Sequence, residues 1–316
     1  MGLTGSGFLL LGATGVWLNP LWTVAVGAAV SLAVLFAVGL LLRVAAPKVA
    51  AIAQTTAKEG ISQPLFYVLL AVGVFLLMLF PFVCANTMGE DIKVLKTDGL
   101  TLIKILAIVL ALWTASISIS DEIEGRTALT LLSKPVGRWQ LILGKFLGIL
   151  VPVAILFIVL GAIFLASVSF KVAYDARENS QPDPEPKDCW NEMLQVSPGL
   201  AVSFMEAMIL VSVSVAISTR LPMIPNLVIC ASIYVLGHLV SMVLNSRAGE
   251  FALVHFTGRL IAAVLPVLDH FNMESLISTG NQLPWSYLLL VGAYSVLYST
   301  VAMLVALLLF EDRDLA

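Results

Sequence analysis

Residues 147–168 read LGILVPVAILFIVLGAIFLASV, an unbroken apolar run without an ionisable side chain. The run is longer than the ~20 residues that an α-helix needs to cross the hydrocarbon core of a bilayer. Its continuity excludes a barrel strand, which alternates faces over about ten residues. The composition of the whole chain agrees: hydrophobic residues make up 59% of the 316 and charged residues only 12%, with a mean hydropathy of +1.00. A soluble domain carries charge on roughly a quarter of its residues, so the chain belongs in a membrane. The net charge of −3 gives no footing for nucleic-acid binding.

Working outward, the same test finds further spans at 64–83, 100–120, 199–218, 224–244 and 285–310, and another ahead of them at 22–42. The fold class is all-α: a polytopic helical membrane protein of six core transmembrane helices plus an extra N-terminal one. Two units follow, 1–43 and 44–316. Met1 to Leu42 contains no ionisable side chain, so the basic start of a secretory signal peptide is missing. Residues 3–18 are apolar but short, and Asn19-Pro20 interrupts them. They are expected to be interfacial or re-entrant, with an eighth span as the alternative.

Lysine and arginine in short loops mark the cytoplasmic side. The segment 121–146, DEIEGRTALTLLSKPVGRWQLILGKF, holds Arg126, Lys134, Arg138 and Lys145, and is therefore expected in the cytoplasm. Alternation then places Arg43, Lys48, Lys58, Arg220 and Arg313 on that side. It leaves 170–197 outside with Asp175, Glu178, Asp183, Glu185, Asp188 and Glu192. The N-terminus is expected outside and the C-terminus in the cytoplasm of a cell membrane, the bacterial inner or plasma membrane. The outer loop contains QPDPEPKD, whose prolines oppose helix and whose charges oppose burial. It reads as a solvated connection, with an acidic cation receptor as the alternative. Cys84, Cys189 and Cys230 are scattered and outline no disulfide framework.

Within 121–146, Asp121, Glu122 and Glu124 gather at the start of a helical stretch, where the macrodipole favours acid. Ala128, Leu129, Leu131 and Leu132 make an apolar ridge that Ser133-Lys134-Pro135 ends. A short helix lying on the membrane surface, a turn, and 139–145 leading into the next span fit these signals.

The run E-x-E-G-x-T-x-x-x-L-L-S-x-P-x-x-R, present as Glu122, Glu124, Gly125, Thr127, Leu131, Leu132, Ser133, Pro135 and Arg138 and followed by Leu143-Gly144-Lys145, resembles the type-2 permease family of ATP-binding-cassette (ABC) transporters. That family keeps its first coupling helix at this place, between the second and third core spans. The ending LFEDRDL at 309–315 resembles the family's ending too. The resemblance covers about residues 44–316, and the span at 22–42 departs from its six-span pattern. It implies an amphipathic interface helix near 48–63 and short outward-facing helices within 250–284. The apolar run 260–268 there is too short to cross. It also implies a membrane subunit, homodimeric or heterodimeric with a sister permease, surrounded by membrane lipid and bound to cytoplasmic ATPase subunits through Glu122, Glu124, Gly125, Thr127, Leu131, Leu132, Pro135, Arg138 and Lys145. The chain has no G-x-x-x-x-G-K-[ST] phosphate loop. No cofactor and no catalytic residue is therefore assigned to it, and ATP with Mg is expected in the partner chain.

Glu206 falls within an apolar span, seven residues or about 10 Å from Gly199, where a carboxylate costs roughly 2.5 to 3.5 kcal/mol near the bilayer centre. It lines a substrate path or bonds across a helix interface. Lys104 is expected to snorkel. His238, His255 and His270 match no helical ligand spacing, so no metal is assigned. Ser212, Ser214 and Ser218 lack a partner base and suit close helix packing, as does the Gly144/Gly148 pair. The leading functional expectation is an ABC permease exporting or flipping an amphipathic or hydrophobic substrate. The alternatives are an ATP-driven membrane anchor in a cell-envelope or metalloenzyme-maturation complex, and a secondary transporter. The last calls for paired intramembrane charges or broken helices in matching halves.

Overall fold

The computed structural model describes residues 17–83, 91–124, 137–178, 182, 184–244, 246, 251–273 and 283–311, without the side chains of 83, 119–124, 252, 263 and 311. Nine α-helices and one 3-10 turn (Leu268–Phe271) occur among these residues. They are α1 (Leu21–Ala45), α2 (Pro47–Ser62), α3 (Pro64–Val83), α4 (Asp91–Glu124), α5 (Arg138–Glu178), α6 (Pro186–Ser218), α7 (Met223–Leu244), α8 (Ala252–Val264) and α9 (Trp285–Glu311). Seven of the nine are long and apolar enough to span a membrane, all but α2 and α8. The chain is a polytopic helical membrane protein, and each span expected from apolarity lies within one of these seven helices. The stretch 3–18 lies outside the described residues except for its last two.

The core is a three-helix block of α4, α5 and α6. Their membrane windows are 50–67% buried inside the protein, whereas that of α1 is 0% buried. Apolar side chains such as Leu110, Ile149, Leu156, Leu160 and Ile209 fill the block. At 1.5 Å per residue, the 41 residues of α5 extend about 60 Å. That is beyond the ~40–45 Å of a whole bilayer, so α5 projects past it.

This projection corrects the loop expected at 170–197. Helix α5 runs on to Glu178 and α6 starts at Pro186, so the connection shrinks to 179–185. Prolines 182, 184 and 186 do oppose helix interiors, yet Pro186 sits in the first turn of α6, where its missing N–H costs nothing. A reciprocal cap between Glu185 and Asp188 closes that turn, with the Glu185 amide donating to the Asp188 carboxylate at 3.0 Å. Lys171 and Lys96 are buried at the Glu178 end of α5. Lys171 pairs with Asp175 at 2.8 Å and with Asp91 at 3.4 Å. Lys96 pairs with Glu192 and donates to Gln195 at 3.0 Å. Lys171, Asp175 and Glu192 thus take part in tying α4, α5 and α6 together rather than dissolving a loop.

Between α1 and α2, Pro47 forces Ala46 out of the helical region (φ −144°, ψ 75°), and α2 starts afresh. Its buried positions Val49, Ala53, Thr56, Ala57 and Gly60 recur at helical spacing, while Lys48, Gln54, Lys58 and Glu59 are exposed. The amphipathic helix expected near 48–63 is therefore present. In 250–284, α8 is short, and residues 274–282 lie outside the description.

Candidate functional site

Two places carry polar chemistry on this scaffold. The first flanks the segment 125–136, which lies outside the described residues together with Gly125, Thr127, Leu131, Leu132 and Pro135. Glu122 and Glu124 belong to the last turn of α4, and Arg138 opens α5. Arg138 and Trp139 are exposed. Lys145, expected with them at the partner surface, instead turns inward and is 4% exposed. Its ammonium donates to the Ser118 carbonyl at 3.0 Å and the Ser118 hydroxyl at 2.9 Å. An apolar four-carbon stem makes this inward reach inexpensive. The bond ties the end of α4 to the start of α5 on either side of the intervening segment.

The α2 helix is seated against that same start of α5. A Cβ on Gly144 would lie 2.8 Å from Ile52 and 3.2 Å from the Val49 carbonyl oxygen. On Gly148 it would lie 2.6 Å from Thr56 and 2.7 Å from the Ala53 carbonyl oxygen. The two glycines are a seam into which the α2 backbone presses.

The second place is inside the bundle. Glu206 on α6 is 0% exposed, and its carboxylate lies 3.5 Å from the Lys104 ammonium of α4 and 3.4 Å from His238 Nε2 of α7. His238 Nδ1 is 3.1 Å from the Tyr234 carbonyl oxygen. Lys104 does not snorkel to a helix end; its side chain is 13% exposed and follows the buried carboxylate. A cavity of about 20 Å³ beside Lys104, lined by Thr97, Thr101, Ser203 and Asn272, is large enough for one water. Paired intramembrane charges, which the sequence did not reveal, are thus present.

A second polar knot lies between the same helices. Asn226 of α7 is fully buried and donates to Ser116 of α4 at 2.8 Å and to Ser214 of α6 at 3.0 Å. Ser212 and Ser218 bond to carbonyls of their own helix. The expected role of these serines in packing fits, and Asn226 is the partner that sequence reasoning missed. Its signal was an uncharged amide in an otherwise apolar span, where polar residues glue helices. His255 and His270 stand on α8 and in the 3-10 turn, apart from this pairing. Asp91, Asp175 and Glu178 bring carboxylate oxygens within 4.8 Å of one another, but Lys171 already supplies a cation to two of them.

Chemically, the α4–α6–α7 site brings a carboxylate, an ammonium and an imidazole from three helices together, and at the α2–α4–α5 face α5 is bonded to α4 and closely packed on α2. No curated protein matches the chain. The family described as "ABC-2 family transporter protein" matches residues 71–315, a range that takes in α4 through α9, with the charge site, the α4–α5 bond and the α5 side of the glycine seam, and leaves out α1 and α2. By that match over most of its length, the chain belongs to the ABC-2 transporter family.

Proposed function

We propose that the chain is the membrane-spanning permease subunit of an ABC transporter, paired with a second permease and driven by a separate cytoplasmic ATPase. In this reading it exports or flips an amphipathic or hydrophobic substrate. Family membership supports the permease assignment. The observation that carries the coupling reading is the joint around 125–136. Lys145 clamps α4 to α5 through Ser118, and α2 is pressed into the glycine seam on α5. A push on the segment between them would move a helix of about 60 Å, with the bundle biased between two states by nucleotide on the partner.

Expression together with the cognate ATPase is expected to give a stable complex that hydrolyses ATP, and the chain alone none. Glu124→Lys or Gly125→Pro is expected to lower transport-coupled hydrolysis about tenfold, within the usual range of coupling between sites, while the chain still inserts. Robust hydrolysis by the isolated chain would overturn the proposal. Retained nucleotide-driven movement without transport of any lipid, drug or lipid-linked sugar would favour the anchor reading.

Orientation follows from the basic residues beside 125–136. In a background lacking native cysteines, a cysteine replacing Asp183 is expected to react with an impermeant thiol reagent from outside, and one replacing Gly137 is not. The opposite pattern would invert the topology.

A further inference from the structure

A cleft of about 640 Å³ runs between α1 and the core helices α5 and α6. Its walls are apolar, with Val34 and Val38 on α1 facing Phe157 and Leu165 on α5 and Leu200 and Phe204 on α6. Among the described residues, no ionisable side chain lines it. Its three hydroxyl groups are already committed within their own helices. Thr23 donates to the Pro20 carbonyl, Ser31 to that of Gly27 at 2.9 Å, and Ser197 to that of Leu194 at 3.1 Å. An occupant is therefore offered dispersion contacts and little else. The α1 helix touches the core through Val24 but is loosely packed: none of its residues is buried, and a Cβ on Gly27 would meet nothing within 4 Å.

The cleft extends along α1 from Thr23 to Val38, about 22 Å of helix rise. A single leaflet is about 15 Å deep, so a chain entering from the Thr23 end can be enclosed over its whole length. Trp190 lines that end of the cleft and is 38% exposed, in the manner of interfacial tryptophans. One helical turn before it, on the same face of α6, stands the exposed cation Lys187.

We propose that this cleft seats one acyl chain of a resident phospholipid, with the headgroup phosphate at Lys187 and Trp190. The lipid completes the packing that α1 lacks and joins the extra helix to the permease core. This seat does not depend on export or on the ATPase, and is expected in the chain alone.

The test uses the full chain in vesicles of phosphatidylethanolamine and phosphatidylglycerol, the latter carrying a diazirine on one acyl chain. After illumination, labelled peptides are mapped by mass spectrometry. Label is expected to concentrate on cleft-lining residues of α1, α5 and α6. Ala154→Phe on α5 and Ala201→Phe on α6 are each expected to reduce it about tenfold, the equivalent of 1.4 kcal/mol. Val72→Phe on the exposed side of α3 leaves it unchanged. Lys187→Glu is expected to reduce it about fivefold, in keeping with ~1 kcal/mol per basic residue at a lipid surface. Either filling variant that elutes as a single folded species suffices. Label spread evenly around the helices and unmoved by a folded filling variant overturns the seat. So does cleft label that emerges only when residues 1–16 are removed, or α1–α1 cross-linking between copies with the cleft unlabelled. Full labelling with Lys187→Glu overturns the headgroup position.

Discussion

Gly148→Leu is expected to detach α2 from the bundle and uncouple the protein while leaving it inserted. Even the first added carbon would lie 2.6 Å from the Thr56 Cβ and 2.7 Å from the Ala53 carbonyl oxygen, and a backbone oxygen cannot rotate away. The helices must separate, at a cost of roughly 1–3 kcal/mol or more for overpacking a close contact. Gly144→Leu meets Ile52 and the Val49 carbonyl oxygen and acts in the same direction. Gly27→Leu is the matched control, since a Cβ there has nothing within 4 Å. Thermal unfolding followed by fluorescence-detected size exclusion reads the stability, and hydrogen exchange of the α2 amides reads the seating of α2. Equal behaviour of Gly148→Leu and Gly27→Leu would remove the seam from the account.

The seam marks where sequence reading ends. A small-x-x-x-small pair signals close approach, and Gly144/Gly148 gave that signal, but it does not name the partner. That the partner is the polar helix α2, with its own stripe of Val49, Ala53, Thr56 and Gly60, depends on where Pro47 turns the chain after α1. Spans were legible because transfer of apolar residues into hydrocarbon is a nearly additive property of each residue. Pairings between spans are not, because any apolar face fits many others.

The same limit explains 170–197. Charge density there read as loop, yet the spacing Lys171/Asp175 is an i,i+4 pair, and Pro186 with Asp188 is a helix-start pattern. Both local signals were present. What sequence could not supply was the reason for the charges, namely partners on other helices: Asp91 lies on α4 and Lys171 on α5. In the candidate site, Glu206 drew notice alone because an intramembrane acid is rare. Its partners Lys104 and His238 come from other spans, α4 and α7, and only the packing of those helices against α6 brings them to it.

Lys104→Met is expected to destabilise the protein by about 3–5 kcal/mol, the usual cost of removing one partner from a buried ion pair. Glu206 is fully buried, so without the ammonium at 3.5 Å its carboxylate keeps only His238 at 3.4 Å. Glu206→Gln leaves Lys104 facing a neutral amide and is expected to cost nearly as much. The double variant Lys104→Met with Glu206→Leu removes both charges and fills their volume. It is expected to recover most of the loss, because an apolar replacement of a buried pair is often neutral or stabilising. A double-mutant cycle on thermal stability measures that coupling. If the two losses simply add, the pair does not hold the bundle together. Function is read separately, in the reconstituted complex with its ATPase. Glu206→Gln is expected to change substrate-stimulated hydrolysis more than basal hydrolysis if the carboxylate meets substrate, since nucleotide contacts lie in the other chain. Equal change in both rates, with the stability cycle as described, would make Glu206 a packing charge between α4, α6 and α7. The substrate route would then run past other walls of the bundle.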